Sequence, residues 1–371
     1  MPIYMDVHIV PGVKARDVAE AHSKDLLHQS EYECTCMTYW VDEKRESIFC
    51  LIEAPDKKAV EEMHNRAHGL IPNKVIEVSS SVVEAFLGRI YDPENAVTTD
   101  DGLKVFADPS FRILLFIQTE DPVLLNYRLG PVEAMELTQQ FNQLVRQNIQ
   151  EYNGREAQHH GNDFIISFSS AKDAVSCSLA IQSALISSEK KVPYFKMGLS
   201  AGEPIVNKNS LFGDVIEKAR NITAIVQNGQ LILSSAVIEL VAKDDLLPKK
   251  DNVMALKPQD ERTVDMLFTG LEENWQDPEF DITAYCQSIN MSKSQLYRKT
   301  VSLTGLSPNL LLKDYRLQKA KELMKKQQYS IAQVTYEAGF TSPSYFTKCF
   351  KKKYSLLPME YLDILYPPAV E

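Results

Sequence analysis

Hydrophobic and polar residues follow three successive rhythms along this 371-residue chain. From Tyr4 to Val78, stretches of apolar/polar alternation take turns with stretches in which apolar residues recur every three or four positions. This predicts strands at Tyr4–Val10, Tyr32–Val41, Ser47–Glu53 and Asn73–Val78, with amphipathic helices at Lys14–Gln29 and Asp56–Ala67. The Asp42-Glu43-Lys44 turn makes a hairpin of the two central strands. A second block opens with the apolar strand Phe111–Ile117 and a long helix, Val132–Tyr152. A hairpin around Gly161-Asn162-Asp163, a helix at Ala171–Ser187, and strands at Tyr194–Ala201 and Gln230–Ser234 separated by a further helix complete it. Beyond residue 278 only the helical period remains.

That last block is punctuated by caps. Asp281 precedes Ile282–Ile289, and after the Asn290-Met291 turn Ser292 opens a helix that Gly305 closes. Ser307-Pro308 starts a run to Lys326 whose stripe of Leu311, Leu312, Tyr315, Leu317, Ala320, Leu323 and Met324 can brace its neighbours. Ser330 caps Ile331–Glu337, Gly339 stops it, and Ser342-Pro343 opens a final amphipathic helix, with proline where a missing N–H costs nothing. Its pattern sets Tyr345, Phe346, Cys349 and Phe350 on one face and Ser344, Thr347, Lys348, Lys351 and Lys352 outside. The whole reads as two helix-turn-helix units in tandem, joined by one long helix.

The chain is therefore expected to be a multidomain α+β protein. Residues 1–91, in the order βαββαβ, predict a ferredoxin-like sandwich, residues 110–270 an α/β sandwich, and residues 278–365 an all-α tandem helix-turn-helix. Periodicity lapses over 92–110 and over the acidic 271–280 segment, which mark the joints.

Charge sharpens the reading of the last block. Between residues 281 and 360 stand 13 Lys and Arg against 5 Asp and Glu, whereas the whole chain carries −10. A basic module on an acidic body suits phosphate binding, because each cation placed near a phosphate releases condensed counterions. No stretch approaches the ~18 apolar residues of a spanning helix, and no charged-then-apolar leader opens the chain, so no membrane partner is expected. Six scattered cysteines without zinc spacing suit reduced thiols, and the expected location is the cytoplasm.

The residues Ala338-Gly339-Phe340, Ser342, Ser344-Tyr345-Phe346, Lys348, Phe350-Lys351-Lys352, Tyr354, Pro358 and Glu360-Tyr361 resemble the signature of AraC-type transcription regulators. Ser292, Leu296, Gly305, Ser307-Pro308 and the run from Arg316-Leu317 to Leu323-Met324 fit the same family, so the resemblance covers about 85 residues. It implies double-stranded DNA as partner, with two recognition helices in successive major grooves about one helical turn apart. Outward residues then carry base contacts: Lys293, Ser294, Gln295 and Arg298 from the first helix, and Ser342, Ser344, Thr347 and Lys348 from the second. Lys299, Lys351, Lys352 and Lys353 are placed for phosphates. Leu356 departs from the family, which usually has glycine there.

Five of the seven histidines, His8, His22, His28, His64 and His68, fall in the first block. His64 and His68 stand four apart with Glu61 on the same helical face, a spacing that lets two imidazoles converge on a transition metal, although a solvated pair has the same spacing. Ala21-His22, Tyr39 to Glu43, Phe49 to Asp56 and Ala67-His68-Gly69-Leu70 resemble a small family of ferredoxin-like domains that includes a bacterial nickel-binding protein. The resemblance spans most of residues 4–80 and implies a transition metal, with His22, His64 and His68 as ligands and Cys50 as a weaker one.

In the middle block, Gly154-Arg155-Glu156, His160-Gly161, Phe164 to Phe168, Ala171, Ala174, Gly198, Gly202-Glu203-Pro204, Leu211 to Val215 and Gly229-Gln230 resemble the class III nucleotidyl cyclase domain. The cyclase chemistry needs two aspartates on divalent ions, plus an Asn and an Arg at the transition state. Gln118 and Asn162 stand at the aspartate positions, Glu217 at the Asn, Asn221 at the Arg, and Gln158 at a base-selecting Lys. Amides hold Mg²⁺ far more weakly than carboxylates, so no catalysis is expected unless Glu120, Asp121, Asp163 and Arg220 take those roles. The family pairs such domains head to tail, which implies a homodimer through this block. Sequence alone leaves three function classes: a DNA-binding regulator with a small-molecule, nucleotide or metal effector, an active cyclase, and a metal-binding protein.

Overall fold

The computed structural model describes residues 1–94, 96–160, 163–188, 191–205, 207–243, 246, 251–326 and 329–367. The hairpin tip at Gly161-Asn162, including one of the two positions aligned with a cyclase aspartate, lies outside them.

In the first domain β1 (Ile3–Ile9), α1 (Ala15–His28), β2 (Thr35–Asp42), β3 (Ser47–Glu53), α2 (Lys57–Ala67) and β4 (Lys74–Val78) form an antiparallel sheet of order β2-β3-β1-β4. Because successive side chains point to opposite faces, one face gathers Tyr4, Ile48 and Ile52 under Val18, Val60 and Met63 of the two helices. The other face, with Met5, Val7, Trp40, Phe49 and Leu51, is equally apolar and packs away from those helices. It meets α3 (Ser80–Leu87), whose C-terminal carbonyls are taken by Arg112 and Ser167 of the next domain. Residues 92–110 carry a short hairpin, β5 (Val97–Thr98) and β6 (Lys104–Val105), beyond which Phe106 stacks on Tyr39 at 4.2 Å.

The second domain comprises β7 (Arg112–Thr119), α4 (Pro122–Leu129), α5 (Pro131–Glu151), β8 (Arg155–His160), β9 (Asp163–Phe168), α6 (Ala171–Ile186), β10 (Phe195–Gly202), α7 (Gly213–Ala224), β11 (Leu231–Leu233), α8 (Ser235–Val241) and β12 (Val253–Ala255). Its six-stranded sheet has the order β12-β11-β10-β7-β9-β8, parallel at β10-β11-β12 and antiparallel elsewhere. Ile113, Leu115 and Ile117 face α5 and α6. Leu114, Phe116 and Ile165 face α7, α3 and the apolar outer face of the first sheet, so the two domains share one core. Gly198 allows β10 to touch α7: a Cβ there would come within 2.1 Å of Thr223 Oγ1.

Helix α9 (Pro258–Asn274) leads to the six C-terminal helices: α10 (Ile282–Ser288), α11 (Lys293–Thr304), α12 (Pro308–Met324), α13 (Ile331–Glu337), α14 (Pro343–Tyr354) and α15 (Pro358–Leu365). Val264, Leu267, Phe268 and Leu271 of α9 are buried with Tyr285, Leu296 and Leu311 on one side and Ile222, Ile225 and Ile232 of the second domain on the other. The first helix-turn-helix unit thus grows out of the second domain's core. The second unit has a core of its own, Leu317, Ala320, Val334, Phe346, Phe350 and Tyr361, into which Val123 of α4 also inserts.

Candidate nucleic-acid interface

The two units are built on one template. Ser292 and Ser342 cap α11 and α14, each accepting a backbone N–H three residues on. Both helices run for twelve residues, and Leu296 and Phe346, at equivalent positions, are completely buried. With those anchors fixed, helical geometry turns the neighbouring positions outward. Lys293, Ser294, Gln295 and Arg298 are exposed on α11, and Ser344, Lys348, Lys351 and Lys352 on α14, with Ser342 and Thr347 half-buried. Ser342 spends its hydroxyl on the Tyr345 N–H.

Four positions depart from the sequence pattern. Tyr345 is 53% exposed rather than part of the buried face, because it lies one residue before Phe346, turned by about 100° to the edge of the stripe. Lys299 is half-buried and reaches Asp260 at 3.8 Å, and Lys353 pairs with Asp314 at 2.6 Å, so both basic groups are drawn toward the protein. Leu356 does not occupy the glycine position. Gly305 closes α11 in the left-handed conformation, and its counterpart on α14 is Ser355 at φ 67°, while Leu356 is fully buried next to it.

A second constellation lies between the first sheet and its helices. Asp6 and His8 alternate onto the helix-facing side of β1, and Cys50 is the cross-strand partner of Asp6. Asp25 from α1, His64 from α2 and His68 at the C-cap of α2 close over them. His64 Nε2 bonds Asp6 at 2.8 Å and its Nδ1 lies 3.2 Å from Asp25, which His68 also reaches at 3.1 Å; His8 is 3.4 Å from Asp6. Burial opposes a charge on His64, but Asp6 and Asp25 outweigh it and push its pKa up to about 10. Burial likewise works against the Asp6 carboxylate, yet His64 and His8 hold it well below the usual range.

Donor atoms of Asp6, His8, Cys50 and His64 lie within 4.8 Å of one another, as do those of Asp25, His64 and His68. His8, Asp25, Cys50, His64 and His68, with His22, line a space of about 20 Å³, room for one water or ion. The structure therefore brings His64, His68 and Cys50 together. It places His22 on the wall of the same pocket, against Tyr39 at 5.2 Å, outside both donor groups. Asp6, His8 and Asp25 were missed by sequence reasoning; the signal was the i, i+2 pair Asp6 and His8 on one strand face.

In the second domain, Gln118 lies opposite Lys196 in the sheet register, and Glu217 pairs with Lys208. Glu120 is bound by Arg128 at 2.6 Å, Asp121 by Lys321 at 3.0 Å, and Arg220 lies over the Phe116 ring. Asp163 accepts the Thr119 N–H. Its pKa is raised to about 6 by burial, against the pull of Thr119, Lys325, Arg220 and Lys321. A carboxyl that binds its proton more tightly when folded makes stability fall as pH rises from about 4 to about 6. Asp163→Asn is expected to remove that cost, raising stability by about 1–3 kcal/mol at pH 7.5 and by little at pH 4.5. Thermal melts of both proteins at the two pH values check this.

Comparison with known proteins follows the same division. Residues 4–78 match the family described as nickel responsive protein SCO4226-like, and residues 285–364 match a helix-turn-helix domain family. The HTH-type transcriptional regulator MtrA of Neisseria gonorrhoeae is 30% identical over 152 residues, covering 37% of this chain and 50% of MtrA. The crystal structure of SCO4226 from Streptomyces coelicolor A3(2) is 31% identical and covers 20% of this chain and 94% of that one, with a TM-score of 0.20. A Trypanosoma brucei adenylate cyclase structure is 14% identical and covers 37% and 78%, with a TM-score of 0.34. The chain spans half or less of the length of the curated relatives it matches. Its C-terminal module is a helix-turn-helix domain of the AraC type, joined to an SCO4226-like first domain.

Proposed function

We propose that this chain is a sequence-specific DNA-binding transcription regulator of the cytoplasm, in which the two upstream domains sense an effector and pair two copies of the chain. The observation that carries this reading is the shared register of α11 and α14: each buries one apolar anchor and turns a polar, basic face outward. Lys293, Ser294, Gln295 and Arg298, with Ser342, Ser344, Thr347 and Lys348, read bases; Lys351 and Lys352 neutralise phosphates, and Lys299 does so only by leaving Asp260. Among the described residues no helix is long and apolar enough to cross a membrane.

Arg298→Ala is expected to cost about 1–3 kcal/mol on the preferred site and to relax base preference, since a bidentate guanidinium contact discriminates between bases. Lys352→Ala should weaken all duplexes alike and reduce the salt slope by about one. Titration of both variants against a panel of mutated sites at several salt concentrations tests the assignment, and uniform losses for Arg298→Ala would overturn it.

The second domain serves as a non-catalytic scaffold in this reading. Of the carboxylates that could take the metal roles, Glu120 and Asp121 are committed to Arg128 and to Lys321, and Asp163 accepts the Thr119 N–H. Incubation with ATP or GTP and Mn²⁺ that yields a cyclic product would refute it.

The first domain is the sensor, and its buried cluster suits a transition metal. Two buried carboxylates need a compensating cation, which the His64 imidazolium supplies in this arrangement and a divalent ion would supply instead. Asp6, His8, Cys50 and His64, or Asp25, His64 and His68, would hold it, and the donors must draw in only slightly to reach the about 2.0–2.3 Å bonds of such ions. Elemental analysis of protein purified without added metal tests this, and substoichiometric Ni, Cu, Co and Zn would refute it.

A further inference from the structure

The two helix-turn-helix units are fastened to the second domain by different physics. The first is held by the continuous apolar core around α9. The second is held by Val123 of α4, inserted into its core, and by one carboxylate beside it. Asp121, 7% exposed, caps α4 by accepting the Val123 N–H at 3.0 Å. The same carboxylate receives Lys321 at 3.0 Å and Lys325 at 3.3 Å from α12, and the Tyr361 hydroxyl at 3.1 Å from α15. One acidic side chain of the second domain thereby gathers three donors from two of the elements that pack around α14.

The surroundings make that carboxylate the charged centre of the contact. Val123 beside it is buried in the second unit's core, so the carboxylate stands at the edge of an apolar seam. Lys196 of β10 also belongs to this junction and, among the described residues, forms no ion pair; burial and the nearby Lys353 push its pKa down to about 8. The Lys321 ammonium lies 4.8 Å from the Tyr354 ring, and the buried Tyr354 hydroxyl has no hydrogen-bond partner among the described residues. Cations therefore stand on both sides of the seam; Asp121 binds Lys321 and Lys325, while Lys353 is held by Asp314. Without its charge the seam loses the attraction that holds Lys321 and Lys325.

We propose that Asp121 is a positioning residue for DNA recognition: by holding α12 and α15 against the second domain it fixes the second recognition helix relative to the first, and so sets the half-site spacing the protein accepts. This rests on the DNA-binding reading above. The first recognition helix is anchored through α9, so any slack at Asp121 appears as a change in the distance and angle between the two helices. DNA reports this directly, because inserting one base pair between half-sites shifts the second by about 3.4 Å and rotates it by about a tenth of a turn.

The test uses the full chain and a duplex selected by it from a randomised library, with spacers lengthened or shortened by one and two base pairs. The wild type should show one narrow spacing optimum. Asp121→Asn keeps the cap acceptor and removes the charge, and should lower affinity at the optimum by about tenfold while bringing the one-base-pair variants to within about threefold of it. Lys321→Gln, which perturbs the pair from the other side, should broaden the profile in the same way, and Asp121→Glu should restore most of the narrowness. A duplex holding only the first half-site should bind all four proteins equally, a result that general unfolding would not give. A narrow optimum retained by both Asp121→Asn and Lys321→Gln would overturn the inference while leaving the DNA-binding reading intact. A wild type that binds no duplex would overturn that reading, and the inference with it.

Discussion

Replacing His64 by alanine is expected to lower the unfolding free energy of the first domain by about 3–5 kcal/mol, the range seen when one partner of a buried ion pair is removed. His64 is 1% exposed and stands between Asp6, with no exposure, and Asp25, with 3%. Deleting the imidazole leaves two carboxylates facing a space that now holds no cation, and His8 and His68 each reach only one of them. The loss comes mainly from stranded charge, so it should shrink when the charge is removed as well. His64→Ala combined with Asp6→Asn should therefore be less destabilised than His64→Ala alone. Urea titration followed by Trp40, fully buried in this domain, reads both variants. A loss under about 1 kcal/mol, or strict additivity in the double variant, would show that the cluster is not held by charge.

Phe350→Ala is expected to cost the second helix-turn-helix unit about 3–5 kcal/mol, because the ring is fully buried and the cavity left behind cannot be refilled. Its neighbours are themselves rings, Phe346 at 5.6 Å, Tyr354 at 4.7 Å and Tyr361 at 5.8 Å, which cannot collapse inward without turning. The two units have separate cores, so the damage should stay local. Hydrogen exchange should accelerate across residues 331–365 and remain slow over 282–304. DNA affinity should fall to that of a single half-site. Faster exchange in both units would mean that the two cores fold as one.

Much of this architecture was legible because the chain marks its own boundaries. Asp281, Ser292, Ser307, Ser330 and Ser342 each cap the helix that the sequence pattern assigned to them, and the anchors Leu296 and Phe346 follow from spacing alone. What escaped has physical reasons. Helix α4 is eight residues between Asp121-Pro122 and Gly130, punctuation that also suits a turn. Asp6 and His8 break the apolar alternation of β1, and their partners lie on helices distant in sequence, so only the fold brings the cluster together. The contact of Asp121 with residues 200 and 240 positions away leaves no local periodic trace at all.

Helix α9 has a consequence for how the chain can be divided. Tyr285 donates its hydroxyl to the Leu267 carbonyl, and Leu296 and Leu311 rest on the same helix. A protease cut, or a recombination point, placed at the acidic segment after residue 271 would strip the first reading head of its hydrophobic floor. One placed before Pro258 would leave that floor in place but tear Ile222, Ile225 and Ile232 from beneath it. The first reading head and the second domain therefore share one hydrophobic floor, and a division of the chain on either side of α9 destroys it.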